Sequence, residues 1–224
     1  MKYRVLLLGG GRMGELARNV LEQHENVELV NSETQYTADV YPDIIFSASF
    51  PTKIPADFCK NAALGAVNIH TSLLPEGRGS HPLNWALLWG KEKTGITIHK
   101  ITDTYDAGDI CCQQEVPIFE TDTIVELRAR VEQMFPNVVA SFFDDPERFI
   151  SQAWQQNQAH ASYAQKRMPE DGEVNWDASE REIFDFVRAH HPTDYPAFTY
   201  VDGERMEVHI ATGERKIKLC RPPL

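Results

Sequence analysis

The sequence predicts an α/β fold: a Rossmann-like, mostly parallel sheet with flanking helices, followed by a small C-terminal region of one helix and β-hairpins. Three observations carry this. Tyr3 to Leu8 is an apolar run entering Gly9-Gly10-Gly11-Arg12-Met13-Gly14, after which Met13, Leu16, Ala17, Val20, Leu21 and His24 recur at helical spacing. Val27 to Val30 and Asp43 to Ser47 supply two more strands, making a βαβ-type opening. Near the other end, Phe198 to Val201, Met206 to Ile210 and Lys216 to Cys220 alternate and are separated by Asp202-Gly203 and Thr212-Gly213, which read as hairpin turns.

With 224 residues, 42% of them hydrophobic, the chain is long enough for a sizeable core and one or two domains. We expect a catalytic domain over 1–150 and a small C-terminal subdomain over 151–224. The net charge of -11 opposes nucleic acid, whose affinity rests on Lys and Arg contacts to phosphate. No stretch approaches the roughly 18 apolar residues of a membrane span. The N-terminal apolar run is too short for a signal peptide, so a cytoplasmic protein with no membrane partner is expected. Cys59, Cys111, Cys112 and Cys220 lack metal-ligand or CxxC spacing and read as reduced packing thiols; no metal is expected.

The glycines match G-x-G-x-x-G, and Glu33 lies about twenty residues on, as in a dinucleotide-binding unit. Only 67 residues precede Asn68, short of the ~150 that a full dinucleotide-binding sheet needs, and the polar residues cluster later. A tight turn with close helix packing is the preferred reading. A non-catalytic dinucleotide-binding protein using Gly9 to Gly14 is the rival from another class.

The remaining elements follow in order. Phe46 to Pro55 is a proline-punctuated loop outside the carboxyl end of a parallel strand, a position where ligands bind. Ala56 to Leu64 reads as a short helix, Gly65 to Ile69 as a buried strand, and Leu73 to Gly79 as a shaped loop. Pro82 to Trp89 reads as a helix with Pro in its first turn, Trp85 and Trp89 sharing one face. Gly95 to Ile101 and Ile110 to Ile118 are strands. Thr123-Ile124-Val125-Glu126 opens a helix through Phe142, with a kink expected at Pro136. From about Asp144 a Gln-rich linker is expected to cross the surface, and Ser179-x-x-Glu182 caps a last helix.

Chemistry concentrates between Asn68 and Asp109. Residues two apart on a strand project to one side, so Asn68 and His70 emerge together where the strand ends. The amide suits an oxyanion and the imidazole suits proton transfer near neutral pH. The loop TDTYDAGD carries Asp103, Asp106 and Asp109; flexible Gly108 lets Asp106 turn back toward His70. An Asn, His, Asp set fits acyl transfer to an amine.

This segment resembles the folate-dependent formyltransferases. Asn68, His70, Ser72-Leu73-Leu74-Pro75, Arg78-Gly79, Pro82, Thr94-Gly95-Ile96-Thr97 and Asp106-Ala107-Gly108-Asp109 fall where that family's pattern has them. Lys166-Arg167, Pro169-Glu170-Asp171-Gly172, Trp176, Arg188-Ala189 and Tyr195 to Tyr200 resemble the segment following the catalytic domain in enzymes acting on nucleotide-linked amino sugars. The resemblance covers most of residues 43 to 200. It implies a formyltransferase fold, catalysis by Asn68, His70 and Asp106, and 10-formyltetrahydrofolate as co-substrate. The folate would lie between Phe50 and Ile54 on one side and Thr102, Asp103 and Thr104 on the other.

For the acceptor, Arg78 is a candidate anion contact and Trp85 a candidate stacking surface. In the implied mechanism Asn68 and a protonated His70 hold the oxyanion while Asp106 orients and charges the ring. The expected acceptor is a nucleotide-linked amino-deoxy sugar. Methionyl-tRNA, glycinamide ribonucleotide and formyl-folate hydrolysis are the alternatives, the first disfavoured by charge and the lack of a large basic C-terminal domain, the last by the lack of an extra N-terminal domain. The family also suggests a homodimer through the C-terminal hairpins.

Overall fold

The computed structural model describes residues 2–33, 41–210 and 217–220; the Thr212-Gly213 turn lies outside them. The first strand, β1 (Tyr3–Gly9), buries Val5 to Leu8, and α1 (Gly11–Gln23) lays Gly14, Ala17 and Leu21 inward. Gly11 sits at φ +53, and a Cβ on Gly14 would come within 2.9 Å of the Gly9 carbonyl carbon. The glycines are therefore required by the turn and by strand-helix contact.

Next come β2 (Val27–Glu33), β3 (Ile44–Ala48), the one-turn α2 (Ala56–Cys59) and β4 (Gly65–His70). They are followed by β5 (Arg78–Gly79), α3 (Pro82–Leu88), β6 (Lys93–Lys100) and β7 (Ile110–Pro117). The six-stranded sheet has the order β2-β1-β3-β4-β6-β7. β1 is parallel to β2 and β3, and β3 to β4, while β6 runs antiparallel to β4 with Asn68 opposite His99 and His70 opposite Thr97. The expected mostly parallel α/β sheet is what the chain forms.

Helix α4 (Ile124–Asp144) continues through Pro136. Asp145 caps α5 (Pro146–Ser151), which begins with proline. The first is the helix expected through Phe142, while α5 occupies sequence read as linker; an Asp-Pro pair is a helix-start signal that the Gln-rich texture masks. Two-residue β8 (Tyr163–Ala164) pairs with β5. The chain ends with α6 (Glu180–Arg188), β9 (Ala197–Val201), β10 (Glu204–Ile210) and β11 (Ile217–Cys220), an antiparallel three-stranded sheet of order β11-β10-β9. Asp202 and Gly203 both have positive φ, as a two-residue hairpin requires.

Two compact units are present. The first comprises Met1–Arg78, Gly95–Glu115 and Val131–Tyr163, and the second Gly79–Thr94, Val116–Arg130 and Ala164–Leu224. The chain thus enters the second unit three times, where the sequence reading draws one boundary at residue 150. In the first unit Phe46 meets Phe143 edge-on at 5.3 Å, both fully buried, each contributing about 2–3 kcal/mol by burial alone. In the second, the buried Arg188 is neutralised by Asp185 (Nε to Oδ1, 2.7 Å) and donates to the carbonyls of Phe119, Glu120 and Asp122. Ser179 and Glu182 form the capping box at the start of α6.

Candidate active site

Asn68, His70, His99, the Asp106 loop, Arg78, Gln156, Gln158 and Tyr163 all lie in the first unit. β4 delivers His70 at its last residue, 9% exposed, and Asn68 two residues earlier. Beyond His70 the chain bends through 71–77. The hydroxyl of Ser72 donates to Glu76 O (2.7 Å), and Thr97 Oγ1 donates to Ser72 O (2.6 Å) while accepting from Leu74 N and Gln113 Nε2. This bend brings Gly77 O to 2.8 Å from His70 Nε2.

A carbonyl only accepts, so His70 Nε2 carries a hydrogen. Nδ1 is then the nitrogen that carries the lone pair in the neutral ring, and it lies 3.8 Å from Asp106 Oδ2. Burial pushes the His70 pKa below its usual 6.5, and Asp106 pulls partly the other way. The ring is therefore neutral at rest near pH 7. The sequence reading has it protonated while it holds an oxyanion, a form that burial disfavours in the resting protein.

Asp106 takes the left-handed conformation (φ +52) in the loop between β6 and β7. A Cβ on Gly108 would lie 1.9 Å from Lys100 O, so this loop is packed hard against the end of β6. Asn68, His70 and Asp106 are thereby brought together from β4 and one loop.

A fourth residue joins them. His99 is 2% exposed; its Nδ1 pairs with Lys100 O (2.9 Å), and its Nε2 lies 3.2 Å from Asn68 Nδ2 and 3.4 Å from Asp106 Oδ1. The sequence reading places His99 in a strand and assigns it no chemistry. Only the antiparallel register, which sets it opposite Asn68, reveals it.

The segments expected to receive folate also converge. Ile54 is buried in an apolar cluster with Leu6, Leu8, Ile45 and Phe58, against which Phe50 and Ile101 pack. Lys53 Nζ lies 5.8 Å from the centre of the Tyr105 ring, linking the two loops. Thr102, Asp103 and Thr104 are exposed. Arg78 is 1% exposed, with its donors on Gln156 Oε1, Gln158 Oε1 and the Tyr163 hydroxyl. Trp85 belongs to the second unit, its Nε1 donating to Gln165 O and its ring tilted against Trp89 at 5.3 Å.

Among the described residues no helix is long and apolar enough to cross a membrane, and no group of three or more His, Cys, Asp or Glu could hold a metal ion.

Several solved structures share this architecture. Methionyl-tRNA formyltransferase from Clostridium thermocellum superposes with a TM-score of 0.73 at 20% identity, over 98% of this chain and 100% of that one. A sugar N-formyltransferase from Shewanella sp. FDAARGOS_354 does so with 0.72 at 21%, over 93% and 97%. The N-formyltransferase of Helicobacter canadensis, solved with folinic acid and dTDP-3-aminofucose, gives 0.69 at 16%, over 96% and 90%. At these identities the likeness establishes the fold. Family membership comes from the sequence itself: a profile described as formyl transferase matches residues 16–141, and one for the formyl transferase C-terminal domain matches 166–220. The first spans more than half of the chain and contains Asn68, His70, His99 and Asp106, and on that match this protein belongs to the formyl transferase family.

Proposed function

We propose that this formyl transferase moves the formyl group of 10-formyltetrahydrofolate to the amine of a nucleotide-linked amino-deoxy sugar. The observation that carries the reading is the clustering at the end of β4, where His70 Nδ1 lies 3.8 Å from Asp106 Oδ2 and His99 Nε2 lies 3.4 Å from Asp106 Oδ1 and 3.2 Å from Asn68 Nδ2.

The apolar cluster under Phe50, Ile54 and Ile101, rimmed by exposed Thr102 to Tyr105, suits a flat aromatic ring with a polar edge. In this reading those residues hold the folate, which supplies an activated carbonyl and a nitrogen leaving group. His70 Nδ1 takes a proton from the attacking amine as the new C–N bond forms, and returns it to the departing nitrogen as the old bond breaks. The ring ends as it began. Asp106 stabilises the imidazolium while it exists.

Asn68 holds the oxyanion. One hydrogen of its amide points at His99, leaving the second for the developing charge, and removal of such a donor costs about 10²–10³ in rate.

The acceptor assignment draws on the tail resembling amino-sugar enzymes, on the Shewanella and Helicobacter neighbours, and on the net charge of -11, which opposes tRNA. Methionyl-tRNA is the second reading, favoured by the Clostridium neighbour. To decide, the protein is incubated with 10-formyltetrahydrofolate and, separately, dTDP-, UDP- and GDP-linked amino sugars, methionyl-tRNA, glycinamide ribonucleotide or no acceptor, with products read by mass spectrometry. Formylation of a nucleotide sugar is expected. Formylation of methionyl-tRNA alone, or formate release independent of acceptor, would overturn the assignment.

A further inference from the structure

Gln156 lies in the segment expected to be a solvated linker, yet it is 6% exposed. An antiparallel bridge between Ile110 and Trp154 carries that segment alongside the Asp106 loop. Gln156 Nε2 then donates to Asp106 O at 2.8 Å and to Gly108 O at 2.7 Å. Its Oε1 is taken from the other side by Arg78, through Nε at 3.0 Å and Nη2 at 2.6 Å. Arg78 Nη1 is in turn held by Gln158 Oε1 and the Tyr163 hydroxyl, both at 3.0 Å.

This arrangement has a direction. The guanidinium has only donors, so it fixes which end of the Gln156 amide is oxygen, and the NH₂ must face the loop. Both amide hydrogens are spent on main-chain carbonyls that flank Ala107. Those carbonyls belong to the turn in which Asp106, a non-glycine residue, is held at φ +52. A conformation disfavoured for a side-chain-bearing residue persists only where its surroundings over-determine it. The Gln156 amide is a contact that does so from outside the loop.

We propose that Gln156, locked by Arg78, is a positioning residue that holds the Asp106 main chain so that the carboxylate stands between His70 and His99. The role of Arg78 is then to orient an amide, and the acceptor's charged groups are bound elsewhere. The proposal rests on the catalytic reading of Asp106 given above, and its test separates the two.

Gln156→Met keeps length and neutrality and removes both donors. His70, which faces Asp106, His99 and Gly77 O, reports on the carboxylate without any substrate. In Gln156→Met the His70 ring, followed by NMR through a pH titration, should titrate at lower pH than in wild type, in the same direction as in Asp106→Asn. Turnover on the acceptor that wild type uses should fall at least about tenfold, with KM for either substrate changed less than about twofold. Where Gln156→Met fails to fold because Arg78 is left with unmet donors, the double variant Arg78→Met/Gln156→Met removes the buried cation as well and is read the same way. A His70 titration and a turnover both unmoved, while Asp106→Asn is impaired, would overturn the clamp alone. Full turnover in Asp106→Asn would overturn the catalytic reading beneath it.

Discussion

Asn68 Nδ2 lies 3.2 Å from Nε2 of His99, its partner across the β4–β6 ladder. His99 gives its Nδ1 hydrogen to Lys100 O, so in the neutral ring Nε2 is an acceptor, and the Asn68 amide must present NH₂ to it. The cross-strand histidine therefore decides which way a candidate oxyanion donor points. We expect His99→Leu to fold, since the position is buried in a strand, and to lose about 10- to 100-fold in turnover through the freed amide. Steady-state kinetics beside a melting curve checks this; wild-type turnover would remove His99 from the site.

The buried His70 ring sets a pH dependence. Its pKa is lowered by desolvation, so the neutral, proton-accepting form should persist below pH 6.5, and turnover should fall only on further acidification. Asp106 raises that pKa by its charge. In Asp106→Asn, where residual activity is measurable, the acid limb of the turnover profile should move to lower pH. A limb moving upward would contradict the pairing.

The Asp106 loop has no room for growth at Gly108, where a Cβ would collide with Lys100 O and the main chain itself has to shift. Gly108→Ala should cost about 1–3 kcal/mol of stability by crowding. It should also lower turnover beyond what the unfolded fraction explains, because it displaces the carboxylate. Chemical denaturation and turnover on the folded fraction measure the two separately.

His190 in the second unit offers a stability test independent of catalysis. Its Nδ1 donates to Phe186 O (2.7 Å), and its Nε2 accepts from Arg167 Nη2 (3.0 Å), so protonation would forfeit that contact and set two cations together. Burial pushes its pKa down to about 4. The unfolded chain binds this proton from about pH 6.5 downward and the folded one only near 4, so stability is present above 6.5 and is lost as pH falls toward 4. The loss is about 3 kcal/mol in all. His190→Gln should flatten that part of the denaturation-versus-pH curve; an unchanged slope would contradict the assignment.

How much of this was legible in the sequence differs by element. The parallel sheet and glycine turn were legible because apolar runs and close-packed glycines are local signals, and the Asp202-Gly203 hairpin because its turn chemistry is local too. Asn68, His70 and Asp106 follow from strand-end spacing and a flexible glycine. His99 was visible as a residue but not as a partner of Asn68: its role depends on a strand register fixed only when β4 and β6 pair. Gln156 was hidden by composition. A glutamine among glutamines reads as solvated linker, and only the bridge from Trp154 to Ile110 turns it inward. Arg78 reads as an anion contact because a free guanidinium fork fits one, and nothing local foretells that Gln156, Gln158 and Tyr163 occupy it.

In the proposed mechanism His70 moves the amine's proton during formyl transfer and Asp106 stabilises the ring while it is charged. This mechanism is tested most directly by single-turnover transfer from 10-formyltetrahydrofolate in wild type, His70→Ala and Asp106→Asn, with both substrates saturating and each variant confirmed folded. Each variant should be slowed by about 10² or more with the formylated product unchanged. Transfer at the wild-type rate in either variant would contradict it.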